Sequence, residues 1–253
     1  MFVHLKTKTI YSLLEGAIFA KALADRCNAF KMPAVGIADR ANLFGALEFS
    51  EVLSDNGIQP IIGCQLPINS KEVNLKKFSA TDQISMLFLA KNEVGYRNLM
   101  ELSSKFFLND TYRFQGMRIS EIDKSSDGLI CLSGGNESPI NKLLRENKFK
   151  DAENLLLHFK KAFGDRFYLE MNRHPLGDNF SMKVNTESNI LEMADSHKLP
   201  LVATNDVYFL DQKLYQPHDA LLCIAEGSFV DQKQERRSLS MDHCFKSENE
   251  MQD

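Results

Sequence analysis

Polar and charged residues follow most of the short apolar segments of this 253-residue chain. Some of them, such as Asp39, His174 and Asp206, carry the carboxylate and imidazole groups that bind zinc or manganese. Others are cations, and a Lys ammonium offers a metal no lone pair at pH 7, while an Arg guanidinium is always protonated. The residues at these positions are Lys6, Lys8, Asp39, Arg40, Gln65, 133–135, 172–174 and 205–208. The set predicts either a weak metal site or a cluster of paired charges.

Apolar strands alternate with amphipathic helices along the chain. The predicted strands cover 2–6, 34–38, 58–68, 86–90, 128–133, 166–171 and 200–205, and the predicted helices cover 16–31, 42–56, 93–107, 138–146, 150–163, 184–197 and 213–226. Repeated strand-then-helix units predict a parallel sheet buried on both faces. About seven units indicate a closed or nearly closed barrel, with functional residues at the carboxyl ends of the strands. A doubly wound open sheet would need a phosphate-binding motif, and neither GxGxxG nor GxxxxGK[ST] occurs.

Composition restricts the classes of protein that the chain can belong to. The net charge of −4 argues against a strong nucleic-acid binder, which needs a surplus of Lys and Arg. The five cysteines form no CxxC pair, which is typical of a protein from the reducing cytoplasm. No run of about 20 apolar residues is present, so no membrane span is expected. Lys6 and Lys8 interrupt the first segment, so a signal peptide is not expected.

Seven motifs in order carry a family resemblance. They are FVHLKTKTIYSLLEG (2–16), GIADRANLFGALEF (36–49), PIIGCQLPI (60–68), LAKNEVGYRNLMELSSK (89–105), GLICLSGG (128–135), RFYLEMNRH (166–174) and PLVATNDVYFL (200–210). Together they resemble the polymerase and histidinol phosphatase (PHP) domain, most closely as it occurs at the start of bacterial DNA polymerase III alpha subunits. The resemblance implies an α/β fold, a distorted (β/α)7-type TIM-like barrel with mostly parallel strands. It implies one domain over 1–253, with a barrel core at 1–226 and a polar tail at 227–253 that leads towards polymerase domains.

The resemblance also implies a pocket that has changed its chemistry. Metal-competent members of the family carry His, Asp or Glu ligands at positions where this chain has Lys6, Lys8, Arg40, Gln65, Ser85 and Tyr208. Gly135 occupies a further position that often carries a ligand. Four residues keep ligand-capable chemistry, namely Glu15, Asp39, His174 and Asp206. We therefore expect a vestigial pocket with no bound metal, no cofactor and no catalytic residue.

Two arrangements of this pocket are compatible with the sequence. In the first, Lys6, Lys8 and Arg40 replace the positive charge of the metal ions and pair with Glu15, Asp39 and Asp206, because unpaired buried carboxylates are costly. In the second, the pocket is open to water and the lysines are solvated.

The resemblance implies a scaffold role within a larger enzyme. The domain would support the remaining polymerase domains in cis and dock the proofreading exonuclease subunit, in a cytoplasmic protein that extends DNA primers and binds DNA and Mg²⁺ elsewhere in its chain. The alternative is a metal-dependent phosphoesterase, a 3′–5′ exonuclease or pyrophosphatase, acting at the barrel mouth. A third possibility, a DNA-binding module, conflicts with the net acidity.

Overall fold

The computed structural model describes residues 2–75, 84–174, 180–232 and 236–252, with the side chains of 180–185 left out. Its centre is a six-stranded curled sheet in which the strands follow one another in chain order. The strands are β1 Ala34–Arg40, β2 Gln59–Pro67, β3 Ser85–Ala90, β4 Leu129–Leu132, β5 Phe167–Asn172 and β6 Leu201–Thr204. The fold is therefore an α/β barrel-like fold, as the sequence predicts.

Helices surround this sheet. They are α1 Ala20–Ala29, α2 Ala46–Asp55, α3 Glu93–Leu108, α4 Asp110–Gln115, α5 Ile119–Lys124, α6 Pro139–Arg145, α7 Phe149–Phe163, α8 Phe180–Ser196, α9 Tyr215–Glu226 and α10 Glu248–Gln252. Local sequence explains several of their starts, because Asn92, Asn109 and Ser138 accept hydrogen bonds from the first backbone N–H groups of α3, α4 and α6. Within the described ranges, no helix is long and apolar enough to cross a membrane.

The direction of β3 departs from a uniformly parallel sheet. β1 runs parallel to β2, and β4, β5 and β6 run parallel to one another, whereas β3 is antiparallel to both of its neighbours. The described part of the connection from β2, residues 68–75, forms a bridge and turns rather than the helix that usually joins parallel strands. The first residue of β3, Ser85, therefore pairs with Pro67 at the carboxyl end of β2.

The predicted strand at 2–6 is not a regular strand, so the count of seven strands is wrong for the described chain. The segment instead lies between the two edges of the sheet. Gly36 N donates to His4 O at 2.6 Å, Ala38 N donates to Thr7 O at 2.9 Å, and Lys8 N donates to Val207 O at 2.8 Å. These bonds connect β1 to the chain that follows β6, and they hold Lys6 and Lys8 inside the barrel.

Two apolar clusters form most of the core. The larger one packs β2 to β5 against α3, α6 and α7, with Phe88, Phe159 and Phe167 fully buried. The second packs α1 and α2 against β1 and includes Phe245, which is only 2% exposed. Phe245 lies in the stretch predicted to be a polar tail, so the described part of that stretch contributes to the core.

Candidate functional site

The side chains singled out at the strand ends meet at one end of the barrel. Lys6 and Lys8 come from the N-terminal segment, and Asp39 and Arg40 end β1. Because β3 runs in the opposite direction, its first residue lies at the same end. We call the following set the mouth cluster: Lys6, Lys8, Glu15, Asp39, Arg40, Gln65, Ser85, Glu137, Glu170, His174, Asp206 and Tyr208.

Lys6 lies at the bottom of the mouth cluster, fully buried between two carboxylates. Its Nζ is 2.7 Å from Asp206 Oδ1 and 3.1 Å from Glu170 Oε1, and it also donates to Gly134 O at 3.2 Å. Burial alone would lower the pKa of Lys6, but the charges of Asp206 and Glu170 outweigh it and raise that pKa. Burial would likewise raise the pKa of Asp206, but the Lys6 ammonium holds it well below its usual range. Lys6 is therefore charged and paired.

Glu170 is a member of the mouth cluster that the sequence analysis missed. Besides Lys6, its carboxylate accepts hydrogen bonds from Gly134 N at 3.0 Å and Thr204 Oγ1 at 2.6 Å. Gly135 has a positive φ of 58°, and a Cβ there would lie 2.8 Å from Glu170 Oε1. A side chain at position 135 would therefore collide with Glu170. The signal in the sequence was a single acidic residue inside the otherwise apolar segment of β5.

Lys8 begins a chain of neutral and charged hydrogen bonds. Its ammonium donates to Gln65 Oε1, and Gln65 Nε2 donates to Ser85 Oγ at 2.7 Å and to Glu137 Oε2 at 2.9 Å. Burial, followed by repulsion from Arg40, lowers the pKa of Lys8 to about 8, although Glu15 and Glu137 oppose the shift. Lys8 is 1% exposed and Lys6 is 0% exposed, so the arrangement with water-solvated lysines is wrong.

Glu137 was also missed by the sequence analysis. It follows β4 in a short 3-10 turn, where no motif distinguishes it from other surface acids. Its Oε2 accepts from Ser85 Oγ at 2.7 Å, and its Oε1 lies 3.6 Å from the Arg40 guanidinium. Burial would raise the pKa of Glu137, but Arg40 and then Lys8 lower it to about 2.

Arg40 and Glu15 form the outer part of the mouth cluster. Arg40 Nε lies 2.8 Å from Glu15 Oε1 and donates to Glu15 Oε2 at 3.0 Å. A second guanidinium, that of Arg237, lies 3.3 Å from Glu15 Oε1. Burial alone would raise the pKa of Glu15, but Arg40, Lys8 and Arg237 together lower it. Glu15 therefore pairs with Arg40 as expected and with a residue from the predicted tail.

Asp39 departs from the predicted pairing. Its two carboxylate oxygens accept hydrogen bonds from Thr9 N at 2.8 Å, Thr9 Oγ1 at 2.6 Å and Ser12 Oγ at 2.6 Å. The hypothesis that Asp39 pairs with one of the three cations is therefore wrong. The TKTIYS turn brings neutral donors to this carboxylate instead, and Asp39 fixes the loop that carries Lys8.

His174 and Tyr208 complete the mouth cluster. His174 is buried, and its Nε2 accepts a hydrogen bond from Asp206 N at 3.2 Å. Its ring stacks on His243, with centroids 3.8 Å apart and planes inclined by 8°. The Tyr208 ring centroid lies 5.4 Å from Lys8 Nζ, a cation–π arrangement. Both residues therefore contribute rings that cover the charged part of the cluster.

The curled sheet and this site define an α/β barrel-like protein with a buried charge cluster at its mouth. A family model for the PHP domain matches residues 4–174, and the chain belongs to this family. It is 44% identical over 99% of its length to the DNA polymerase III subunit alpha of Caulobacter vibrioides, and 35% identical over 99% to that of Rickettsia bellii. It spans about a fifth of the length of these relatives, 21% and 20%.

A solved structure supports the fold independently of these relatives. An amidohydrolase from Chromobacterium violaceum superposes with a TM-score of 0.51 at 11% sequence identity, covering 82% of this chain and 88% of that one. At this identity the similarity concerns the fold alone. The TIM-like architecture expected from the sequence is therefore confirmed.

Proposed function

We propose that this PHP domain has a structural role in a bacterial replicative DNA polymerase alpha subunit and catalyses no metal-dependent hydrolysis itself. The observation that carries the proposal is the position of Lys6 Nζ, 2.7 Å from Asp206 and 3.1 Å from Glu170. An ammonium in this place supplies the positive charge that two buried carboxylates require. In this reading Lys6, Lys8 and Arg40 have taken over the electrostatic role of the metal ions, which makes the pocket a degenerate metal site.

The residues with ligand chemistry do not fit a metal ion. Asp206 is engaged by Lys6, Asp39 by Thr9 and Ser12, and Glu15 by Arg40 and Arg237. A divalent ion at the mouth would also be repelled by the positive charges of its neighbours, which are Lys6, Lys8, Arg40 and Arg237. Over the ranges that the structure describes, no group of three His, Cys, Asp or Glu residues is arranged to hold a metal.

The relatives, which are DNA polymerase III alpha subunits, support a wider role for the chain. In our proposal, the parent protein is cytoplasmic, extends DNA primers and binds DNA and Mg²⁺ through its other domains. The PHP domain supports these domains in cis and docks the proofreading exonuclease subunit. The identity of 44% along almost the whole chain supports a parent protein of the DNA polymerase III alpha kind.

Metal analysis combined with an activity assay tests the structural role. The protein is purified without chelators, its zinc and manganese are measured by mass spectrometry, and hydrolysis of a phosphodiester and of pyrophosphate is followed with each ion added. We expect substoichiometric metal and no hydrolysis above the buffer rate, with a metal-competent PHP protein as the positive control. Stoichiometric metal together with hydrolysis would establish the alternative, a phosphoesterase acting as a 3′–5′ exonuclease or pyrophosphatase.

Exonuclease docking is tested separately by gel filtration of the parent subunit mixed with the exonuclease subunit of the same organism. We expect one complex for the intact parent and loss of that complex when the PHP domain is deleted. A complex that survives the deletion would place the docking surface elsewhere in the parent.

A further inference from the structure

A segment near the end of the described chain runs along the barrel mouth. We call residues 236–246 the strap. Tyr208 N donates to His243 O at 2.9 Å, and Phe245 N donates to Phe209 O at 2.9 Å. Asn205 Nδ2 donates to Asp242 O at 3.1 Å and to Cys244 O at 2.8 Å. The strap thus follows the chain that leaves β6 through main-chain and side-chain hydrogen bonds.

Both ends of the strap are fixed to the barrel. At the first end, Arg236 forms a two-pronged ion pair with Asp219 of α9, at 2.7 Å and 2.6 Å. At the second end, the Phe245 ring lies 4.2 Å from the His4 ring, and Lys246 O is 2.7 Å from His4 Nε2. A planar guanidinium bound by both carboxylate oxygens and a buried aromatic ring are both geometrically specific contacts.

Between these ends, two strap side chains enter the mouth cluster. Arg237 NH1 lies 3.3 Å from Glu15 Oε1, and the His243 ring stacks on His174 at 3.8 Å. Glu15 and His174 are two of the four residues that keep ligand-capable chemistry at the family's metal positions. His174 in turn accepts from the backbone of Asp206, the partner of Lys6.

We propose that the mouth cluster is the binding site of the strap, and that Glu15 and His174 hold this segment of the chain in place. The cluster then has a function without a metal: it fixes the position and direction in which the chain leaves the barrel. The inference goes beyond the proposed structural role, because it names the segment that the pocket binds and the two residues that bind it.

Hydrogen exchange, measured by mass spectrometry on the full chain, tests whether the mouth cluster holds the strap in place. The variants are Arg237→Gln, Glu15→Gln and the double variant, with Arg97→Gln as the matched control because the Arg97–Glu93 pair is exposed and distant from the strap. Each single change is expected to speed exchange across 236–246 by roughly 3- to 10-fold, because the strap opens locally when an anchor is lost. Glu15→Gln also removes the Arg40–Glu15 pair, so the double variant should match Glu15→Gln alone, because Arg237 has no carboxylate left to pair with at position 15.

A third variant, His243→Asn, removes the ring that stacks on His174 but keeps a side-chain acceptor for Ser240 N, which donates to His243 Nδ1 at 3.1 Å. It leaves the Glu15 pair unchanged and should also speed exchange in the strap. Unchanged strap exchange in Arg237→Gln or in His243→Asn would overturn the proposal. Equal acceleration in β2 and β3 would also overturn it, because that result means general destabilisation of the barrel. The structural role proposed above would survive either result, since metal content and hydrolysis test it independently.

Discussion

Lys6 carries its charge where water is excluded, and its energetics are those of a buried ion pair. Moving an ammonium and two carboxylates out of water is costly, and only their mutual attraction and hydrogen bonds offset that cost. The 2.7 Å contact with Asp206 and the 3.1 Å contact with Glu170 supply this compensation. Removing the Lys6 cation should therefore lower the free energy of unfolding more than removing an exposed surface charge does.

Lys6→Met should destabilise the domain strongly. The variant keeps the aliphatic volume but leaves Asp206 and Glu170 buried without their cation, so the free energy of unfolding should fall by about 3–5 kcal/mol. Urea denaturation followed by circular dichroism measures the change. The control is Arg97→Gln, at an exposed ion pair, which should change the same quantity by less than about 0.5 kcal/mol. Equal effects of the two substitutions would contradict a paired, buried Lys6.

Lys8 should make stability depend on pH in the alkaline range. Its pKa in the folded protein is about 8, against an ordinary value of 10.5. Well below pH 8, Lys8 is protonated in both the folded and the unfolded chain, so the folded state bears the full cost of burying its ammonium group. Between these two values the unfolded chain holds more protons than the folded chain, so stability attributable to Lys8 rises with pH.

The measurement compares wild type with Lys8→Met at several pH values between about 7 and 10. The difference in unfolding free energy, wild type minus variant, should increase with pH, because the variant cancels the titration of all other groups. A difference that stays constant with pH would mean that Lys8 keeps its ordinary pKa in the folded protein, and a difference that decreases would mean that folding raises that pKa.

At the scale of elements, the N-terminal segment positions two cations by packing closely on β1. Gly36 lies where a Cβ would come 2.7 Å from Leu5 Cα and Leu5 O. The hydrogen bond from Gly36 N to His4 O, 2.6 Å, depends on this close approach. Any side chain at position 36 would therefore move the segment that carries Lys6 and Lys8.

Gly36→Ala should reduce the free energy of unfolding by about 3 kcal/mol, since an added methyl group has no space and the backbone must shift. The control is Gly57→Ala, where nothing lies within 4 Å of the added Cβ and only the positive φ of 71° is unfavourable. That variant should lose about 1 kcal/mol. Thermal or urea denaturation of both proteins provides the comparison, and a smaller loss at position 36 would argue against the close packing.

The sequence predicts most of these elements, but not their connections. Apolar runs locate β1 to β6 within a few residues, because buried strands are compositionally distinct. The six-residue helices α4 and α5 were not predicted, since such short segments show little periodicity. The pattern of apolar residues in β3 does not indicate that this strand runs antiparallel to its two neighbours.

The site was predictable where a residue stands at a strand end. Arg40 and Asp206 lie at the mouth, where the ends of β1 and β6 converge. Lys6 also lies there, but the segment that carries it is not a regular strand. Arg237 and His243 were not found, because their partners Glu15 and His174 are distant in sequence. Tertiary contacts of this kind leave no local pattern in a single sequence.

At the scale of the whole molecule, the charge balance opposes binding to nucleic acid. The chain has 30 Lys and Arg residues against 34 Asp and Glu residues. Several of the cations are also committed to internal pairs, including Lys6, Arg40 and Arg236. The chain therefore has no overall surplus of positive charge to neutralise phosphates.

The domain by itself should bind duplex DNA more weakly than about 10⁻⁴ M at physiological salt. Fluorescence anisotropy of a labelled duplex, measured over a series of salt concentrations, tests this expectation. Tighter binding that weakens steeply with salt would reveal a basic surface that the overall charge conceals.

The burial of Phe245 has a consequence for synthesis of the protein on the ribosome. This ring packs in the same apolar cluster as Ile18, Leu23 and Phe49, and its neighbour Lys246 contacts His4. The first 60 residues therefore cannot complete their core until the chain has grown past position 246. At bacterial elongation rates of about 5–20 residues per second, that early part of the barrel waits on the order of 10 s or more, with its apolar surface open to chaperones.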